Sequence, residues 1–288
     1  WFNVILRQKS CRNYSRKNQR VRKISHKNII SSLRTSKIIL YNEPTVPEIQ
    51  IEKLQNFLEE LFPVQIEIRK NFSEYSNDEI FEKIASSKIY DIKKPFKKYI
   101  PSISEIQAEK ECKDTTKDEE MILYDGFEFQ KIINNIIPKD ENKLNTLHII
   151  FTNKLTCTFD DSDCRYHARA IIKSNPAIIS TSGIVEAPAK PKQYYFELMT
   201  DFSKDKIDEI KKKYKGEFLE YNDYRLSQVI EGYLLQAIMY FETGDSFCDQ
   251  KDCRLFNAHW QKDLLHSQIE NQTFCKKHLE IIKKITNN

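Results

Sequence analysis

The chain contains a buried strand, an amphipathic helix and a second strand in direct succession, and this order restricts the fold most. Residues 37–41 read KIILY, and residues 64–69 alternate as VQIEIR. The segment between them starts at Val46-Pro47-Glu48 and repeats apolar residues at helical spacing (Ile51, Leu54, Phe57, Leu58 and Leu61). Because such a unit normally joins parallel strands, the sequence predicts an α/β fold.

Later segments extend this prediction. Residues 147–152, LHIIFT, indicate a buried strand, and residues 166–172 and 177–182 are two further strand candidates. The prolines in 183–191 favour an edge strand or a loop there. Helices are predicted over 204–213, 225–241 and 276–285, with Gly244 ending the long central helix. Residues 73–145 are more charged and less regular, and we interpret them as an insertion on the main sheet.

The strongest chemical pattern follows the long helix. It reads Cys248-x4-Cys253-x21-Cys275-x2-His278, and these four residues are called the cysteine–histidine cluster below. Two close pairs of thiolate and imidazole ligands suit a tetrahedral zinc ion, and four protein ligands leave no open position. The sequence therefore predicts one structural zinc ion.

Two alternatives to this ligand set remain open. His259 and His266 lie seven residues apart, so they share a helix face, and either could replace His278 as the fourth ligand. The three cysteines could also be ordinary buried thiols, which are common in protein cores. The chain has 7 cysteines, an odd number that does not suggest a disulfide framework, so reduced thiols and a cytoplasmic setting are expected.

The long helix and the cluster together resemble the archaemetzincins, zinc metallopeptidases of the metzincin clan. Their pattern is HExxHxxGxxxC, then x4-C-x-M, then a gap and CxxC. Gly244 matches the glycine, the three cysteines of the cluster match in order, Leu255 stands where methionine is expected, and His278 replaces the last cysteine. The segments TSGIVEAPAKP and CRLFNAHWQ resemble a smaller archaeal family catalogued as metallopeptidases of unknown function.

The resemblance implies a fold for residues 37–288: a metzincin-like twisted mixed sheet, a long central helix and a carboxy-terminal zinc knuckle. It does not carry over peptidase catalysis. Where His-Glu-x-x-His is expected, residues 237–241 read AIMYF, and Phe247 stands in place of the third catalytic histidine. These side chains neither ligate zinc strongly nor transfer a proton at neutral pH.

A catalytic centre could have been rebuilt from other residues. We consider His167, Gly183, Glu186 and His259 as candidate cleft residues, and a set of His167, Glu186 and His259 as a possible catalytic metal site. The segment 179–191 could bind an extended peptide against an edge strand, or could simply be an irregular edge that prevents aggregation. The Asp160–Asp163 turn lacks the glycine and distal glutamate of an EF-hand.

Charge separates the amino-terminal segment from the rest. Residues 1–37 carry 11 Lys or Arg and no Asp or Glu, so the remaining 35 basic and 42 acidic residues leave a net charge of −7. A body of that charge argues against a broad nucleic-acid surface, although residues 1–36 alone could bind phosphates or act as a targeting sequence. We interpret residues 1–36 as a disordered extension.

These observations favour a zinc-binding relative of metallopeptidases that lacks peptidase activity and binds a peptide or protein. The alternative is an active metal-dependent hydrolase with a non-standard centre. No stretch approaches the roughly 20 apolar residues that a membrane helix needs, so no membrane partner is expected.

Overall fold

The computed structural model describes residues 33–111, 121–200 and 203–286. Within these ranges the chain forms two sheets. The strands, in chain order, are β1 (Lys37–Tyr41), β2 (Gln65–Arg69), β3 (Leu123–Asp125), β4 (Thr146–Thr152), β5 (Leu155–Asp160), β6 (Arg165–Ala168), β7 (Ile171–Ile172) and β8 (Ala177–Ser180).

Helices surround both sheets within the same ranges. They are α1 (Ile51–Leu61), α2 (Glu79–Ala85), α3 (Ile103–Lys110), α4 (Gly126–Asn134), α5 (Thr181–Glu186), α6 (Lys192–Thr200), α7 (Lys204–Lys213), α8 (Leu226–Thr243), α9 (Gln261–Leu265) and α10 (Lys276–Thr286). A short 3-10 helix, Phe72–Tyr75, follows β2, and a π-helical segment, His266–Asn271, follows α9.

The larger sheet has the strand order β2-β1-β4-β8-β7. Its first four strands are parallel, and the short edge strand β7 runs antiparallel to β8. Strand β1 pairs with β2 and with β4, so the predicted strand–helix–strand unit is confirmed, and it forms the β2 edge of the sheet. The chain is therefore a mixed α/β protein, as the sequence predicted.

Both faces of this sheet are covered by helices. Successive side chains of a strand point to opposite faces, so each strand contributes to two cores. On the first face, Ile38 and Leu40 of β1 belong to a core that includes residues of α1 and α8. On the second face, Ile39 and Tyr41 pack with residues of α2 and α4. Segment 73–145 therefore supplies the helices that cover the second face. Its description as an insertion, like the domain division at residue 37, stays a prediction.

The smaller sheet has the order β3-β5-β6, with β3 parallel to β5 and β6 antiparallel to it. The predicted strand over 166–172 is wrong as a single element, because β6 and β7 belong to different sheets. The chain leaves the small sheet at Arg169, whose N–H donates to the carbonyl of Thr156, and enters the large one at Ile171.

The segment 177–191 differs most from expectation. The strand ends at Ser180, and residues 181–186, predicted as strand end and loop, form α5. The Ser180 hydroxyl accepts the Gly183 N–H at 2.8 Å and so caps this helix. Strand β8 lies between β4 and β7 and is therefore not an edge strand. Of the predicted edge strand or loop at 183–191, residues 183–186 are helical instead, and residues 187–191 lie in no helix or strand.

Other boundaries differ by a few residues. Helix α1 begins at Ile51 rather than near Val46, whereas the bounds of α7 and α10 agree with the predicted helices to within a residue. No helix in the described part of the chain is both long and apolar enough to cross a bilayer. The basic segment 1–32 lies outside the described residues.

Candidate metal centre

The carboxyl end of α8 directs the chain into the cysteine–histidine cluster. Gly244 ends the helix in the left-handed region, at φ 78°, and donates its N–H to the Tyr240 carbonyl at 2.8 Å. Glycine adopts this conformation without the penalty that a Cβ brings, as predicted for this helix end. Four residues later the first cysteine is reached.

The first ligand pair lies on a tight loop held by backbone hydrogen bonds. Cys248 donates its N–H to the Leu255 carbonyl at 2.8 Å, and Cys253 donates to the Gln250 carbonyl at 3.0 Å. The N–H of Gln250 also points at Cys248 Sγ, 3.4 Å away. These bonds fix the conformation of the loop that carries both sulfur atoms.

The second ligand pair lies at the start of α10. Cys275 immediately precedes the helix, and its carbonyl accepts the Leu279 N–H at 2.9 Å, so this turn is already helical. Residues three apart on a helix share a face. His278 therefore turns back toward Cys275, with Nδ1 3.2 Å from Cys275 Sγ.

The four donor atoms lie within 4.8 Å of one another. Cys248 Sγ and Cys275 Sγ are 3.8 Å apart, and Cys253 Sγ lies 3.5 Å from His278 Nδ1. Tetrahedral zinc, with Zn–S near 2.3 Å and Zn–N near 2.05 Å, requires separations of about 3.8 Å and about 3.6 Å. The sulfur separation is far beyond the roughly 2.05 Å of a disulfide. The donor set and its spacing therefore fit zinc.

Three of the four ligands are buried, and Cys275 is partly exposed. Cys253 is 0% exposed, His278 3% and Cys248 7%, and Leu255 beside them is fully buried in the core beneath α8. Four protein donors would complete the tetrahedral coordination of a zinc ion and leave no position for a bound water.

The acid–base properties of the ligands depend on where each one lies. Burial raises the pKa of the Cys253 thiol to about 12. Burial also opposes ionisation of Cys275, but backbone N–H donors, first that of His278, outweigh it and lower the pKa of this thiol. Burial, with the nearby Lys277, lowers the pKa of His278 and favours the neutral imidazole that binds metals. A divalent cation would stabilise the thiolates.

The alternative histidine ligands lie elsewhere. His266 bridges two carboxylates, with Nε2 2.8 Å from Asp252 and Nδ1 2.9 Å from Glu270, and these acids raise its pKa. His259 is exposed, and its Nε2 lies 3.5 Å from the Asn257 amide. Neither belongs to the group of donors formed by the cluster.

The residues at the position of the missing His-Glu-x-x-His motif pack as core. Ala237, Ile238 and Met239 are at most 2% exposed. Tyr240 and Phe247 lie under the ammonium group of Lys173, which is 4.2 Å from the Phe247 ring centre and 5.3 Å from that of Tyr240. No metal ligand is present among these five side chains.

The candidate cleft residues do not form one site. His167 lies on β6, Gly183 is buried in α5, Glu186 lies at the end of α5 beside Lys190, and His259 precedes α9. In the described ranges, the donor groups that could hold a metal contain neither Glu186 nor His259. The proposed set of His167, Glu186 and His259 is therefore not brought together.

A second group of potential ligands was not anticipated as a set. Asp160, Asp163 and His167 lie on the β5–β6 hairpin with donor atoms within 4.8 Å, and His167 Nε2 is 3.0 Å from Asp163. Arg165 competes for the same carboxylate at 2.6 Å. The antiparallel register, which pairs Asp160 with Arg165 and Thr158 with His167, is the feature that could have indicated this proximity.

Comparison with known proteins places the chain in a family. A model described as "Probable metallopeptidase family (DUF6775)" matches residues 34–285. No curated protein matches the chain. The chain is similar to the crystal structure of a zinc-dependent peptidase from Methanocorpusculum labreanum (strain Z), with 13% identity and a TM-score of 0.41 over 85% of this chain and 99% of that one. Because the family model spans most of its length, the chain belongs to the Probable metallopeptidase family (DUF6775).

Proposed function

We propose that the protein is a zinc-stabilised member of its family in which Cys248, Cys253, Cys275 and His278 hold one structural zinc ion. We further propose that it binds a peptide or protein without cleaving it, on an archaemetzincin-like scaffold in a reducing, cytoplasmic setting. The observation that carries the zinc assignment is the near-tetrahedral spacing of the four donor atoms, three of which belong to buried residues.

Two further observations support the absence of cleavage at this centre. A four-ligand zinc ion has no position for a substrate carbonyl or an activated water. The helix that carries the catalytic residues in archaemetzincins has only buried, non-ligating side chains at 237–239. The proposed peptide or protein partner rests on the metallopeptidase family of the chain.

Metal analysis and a cleavage assay test this proposal together. Purified protein should contain close to one zinc per chain, and exhaustive chelation should destabilise the fold. A peptide library should show binding without new amino termini. Chelator-sensitive cleavage of any peptide, or a metal content well below one per chain after zinc-supplemented expression, would contradict the proposal.

The alternative function is a metal-dependent hydrolase with a non-standard centre. The observation that favours it is the hairpin group of Asp160, Asp163 and His167, which is partly exposed and would leave coordination positions open. A second zinc ion, cleavage activity, and loss of both on His167→Ala would establish it. The matched control is His266→Ala, which removes another histidine held by two carboxylates.

A further inference from the structure

Two adjoining cavities lie away from the cysteine–histidine cluster. The first is at the carboxyl edge of the parallel strands β1, β2 and β4, and the second is beside it on the second face of the sheet, against the end of α4. After β1 the chain continues into α1, which covers the first face of the large sheet. After β4 it continues into the small sheet, which contacts α4 on the second face. Adjacent parallel strands whose connections diverge in this way open a crevice where α/β proteins bind ligands. The carboxyl end of α8, which leads to the cysteine–histidine cluster, lies at the opposite edge of the sheet. There the Glu242 carboxylate accepts the backbone N–H groups of Arg34 and Thr35, which directly precede β1.

The first cavity is small and polar. Its volume is about 20 Å³, which is room for one water-sized group. Its polar lining comes from the ends of β1, β2 and β4 and from α3: Glu43, Asn71, Ser73, Glu109, Asn153 and Lys154. Two of these side chains are carboxylates in residues that are only 5% exposed.

The two carboxylates differ in their neutralisation. Glu109 accepts from Lys154 Nζ at 2.6 Å, lies 3.0 Å from Lys88 Nζ and accepts the Tyr124 hydroxyl at 2.7 Å. Glu43 has no cationic partner among the described residues. A buried carboxylate without a counter-charge is unfavourable, because water no longer solvates it. Glu43 is thus the group in this cavity that a bound cation would stabilise.

Neutral donors hold the Glu43 carboxylate in place. Its Oε1 accepts the Thr45 hydroxyl at 2.8 Å and the Thr45 N–H at 3.3 Å, and the Asn153 amide in turn donates to the Thr45 hydroxyl at 2.8 Å. Its Oε2 accepts only the Asn71 amide, at a long 3.3 Å, in the described part of the chain. A carboxylate can accept about four hydrogen bonds, so Oε2 can accept one more.

The second cavity is apolar and shares Phe72 with the first. Its volume is about 140 Å³, and Tyr75, Ile133, Ile136 and Ile137 line it. The charged group in its wall, Arg69, is already paired with Glu141 through two 2.7 Å hydrogen bonds. This cavity therefore suits a small hydrocarbon group, which would lie next to the polar cavity.

We propose that this edge of the sheet binds a primary amine carried on a small apolar substituent. The ammonium group occupies the water-sized cavity and donates to Glu43 Oε2, with Asn71 and Asn153 beside it. The substituent lies past Phe72, against Ile136 and its neighbours. This site is separate from the cysteine–histidine cluster and does not depend on the function proposed for the zinc ion.

The test uses the full zinc-containing chain and 3-methylbutan-1-amine, with 3-methylbutan-1-ol as the neutral analogue and methylamine as the truncated one. In ¹⁵N spectra, the side-chain amide signals of Asn71 and Asn153 should shift saturably with the amine. The alcohol should leave them unchanged, and methylamine should bind more weakly than the larger amine.

Three variants separate the contributions. Glu43→Gln keeps the shape but removes the charge, and should weaken binding of both amines by about tenfold or more, the loss of one charge-assisted hydrogen bond. Glu52→Gln, on the exposed surface of α1, is the matched control and should bind like the parent. Ile136→Ala should reduce the preference for 3-methylbutan-1-amine over methylamine.

Several results would overturn the proposal. They are no saturable shift of the Asn71 and Asn153 signals in the parent protein, equal binding of the alcohol, or displacement of the amine by potassium chloride at millimolar concentration. The last outcome would identify a simple cation site. Because the first two measurements use the unmodified chain, they decide the question even if Glu43→Gln does not fold.

Discussion

Replacing Cys253 with serine should remove one of the four proposed zinc ligands and leave the rest of the fold unchanged. Binding of structural zinc is worth about 10–16 kcal/mol in zinc-finger peptides, or roughly 3 kcal/mol per ligand. Cys253 is 0% exposed and lies in the core with Leu255 and the inner face of α8. We therefore expect the loss to lower the stability of the domain rather than only of a surface loop.

The expected size follows from the length of the domain. For domains of 150–250 residues, 1 kcal/mol shifts the melting temperature by roughly 2–4 °C. Cys253→Ser should therefore melt about 6–12 °C below the parent in zinc-containing buffer. Scanning calorimetry with and without a chelator measures this, and metal analysis of the same samples reports the zinc lost.

Cys157→Ser provides the matched control, because Cys157 is also buried, at 1% exposure, but lies outside the cluster. Burying a hydroxyl there costs about 1–3 kcal/mol, with or without zinc. The additional loss of melting temperature in Cys253→Ser, compared with Cys157→Ser, should instead disappear once the parent and the variants are stripped of metal. If that deficit survives chelation unchanged, or if the variant melts like the parent, the zinc assignment is wrong.

Three further predictions concern the scaffold. Gly183→Ala should lower the free energy of unfolding by about 1–3 kcal/mol in a denaturant titration, because its Cβ would lie 2.1 Å from the Arg169 carbonyl oxygen. Gly244→Ala meets no neighbouring atom but keeps a positive φ, so we expect a smaller loss of about 1 kcal/mol in the same titration and unchanged zinc content. Burial tends to raise the pKa of Glu109, but Lys154 and Lys88 outweigh it and hold that pKa below its usual value of 4.5. The ion pairs of Glu109 should therefore contribute their full stabilisation of the fold above pH 4.5. This stabilisation should be lost as the pH falls through the lowered pKa of Glu109. Glu109→Gln should cost about 3 kcal/mol at neutral pH and flatten this acid dependence in pH-resolved melting curves.

The elements that were predictable depend on local chemistry. Strand β1, helix α1 and strand β2 follow from apolar runs and helical spacing within about 30 residues, and Gly244 marks the end of α8 because few other residues favour its backbone conformation. The cysteine–histidine cluster was visible for the same reason, since two short ligand pairs are recognisable without knowledge of the fold.

The prediction of a strand end and loop at 181–186 failed, because the local residue types indicated an edge or loop whereas the buried segment forms a helix. The prolines after Glu186 suggested an edge, yet a capped turn at Ser180 starts a helix that packs beneath the sheet. Helices α3 and α6 were missed as well, because their apolar residues repeat too weakly at helical spacing to be recognised without their packing partners. Strand β5 was also missed, although its sequence LTCTFD alternates apolar and polar residues.

The sequence alone determined the α/β class, the parallel pairing of β1 with β2, and four candidate zinc ligands, because each rests on residues that are close along the chain. Tertiary structure decided which histidine joins the three cysteines. It also brought Asp160 and Asp163 near His167, and placed Glu43, which has no cationic partner among the described residues, in the wall of a cavity. These features depend on distances between segments that only the packing of the sheet against its helices sets. The pairing of Glu109 with Lys154, 45 residues later, is one such contact.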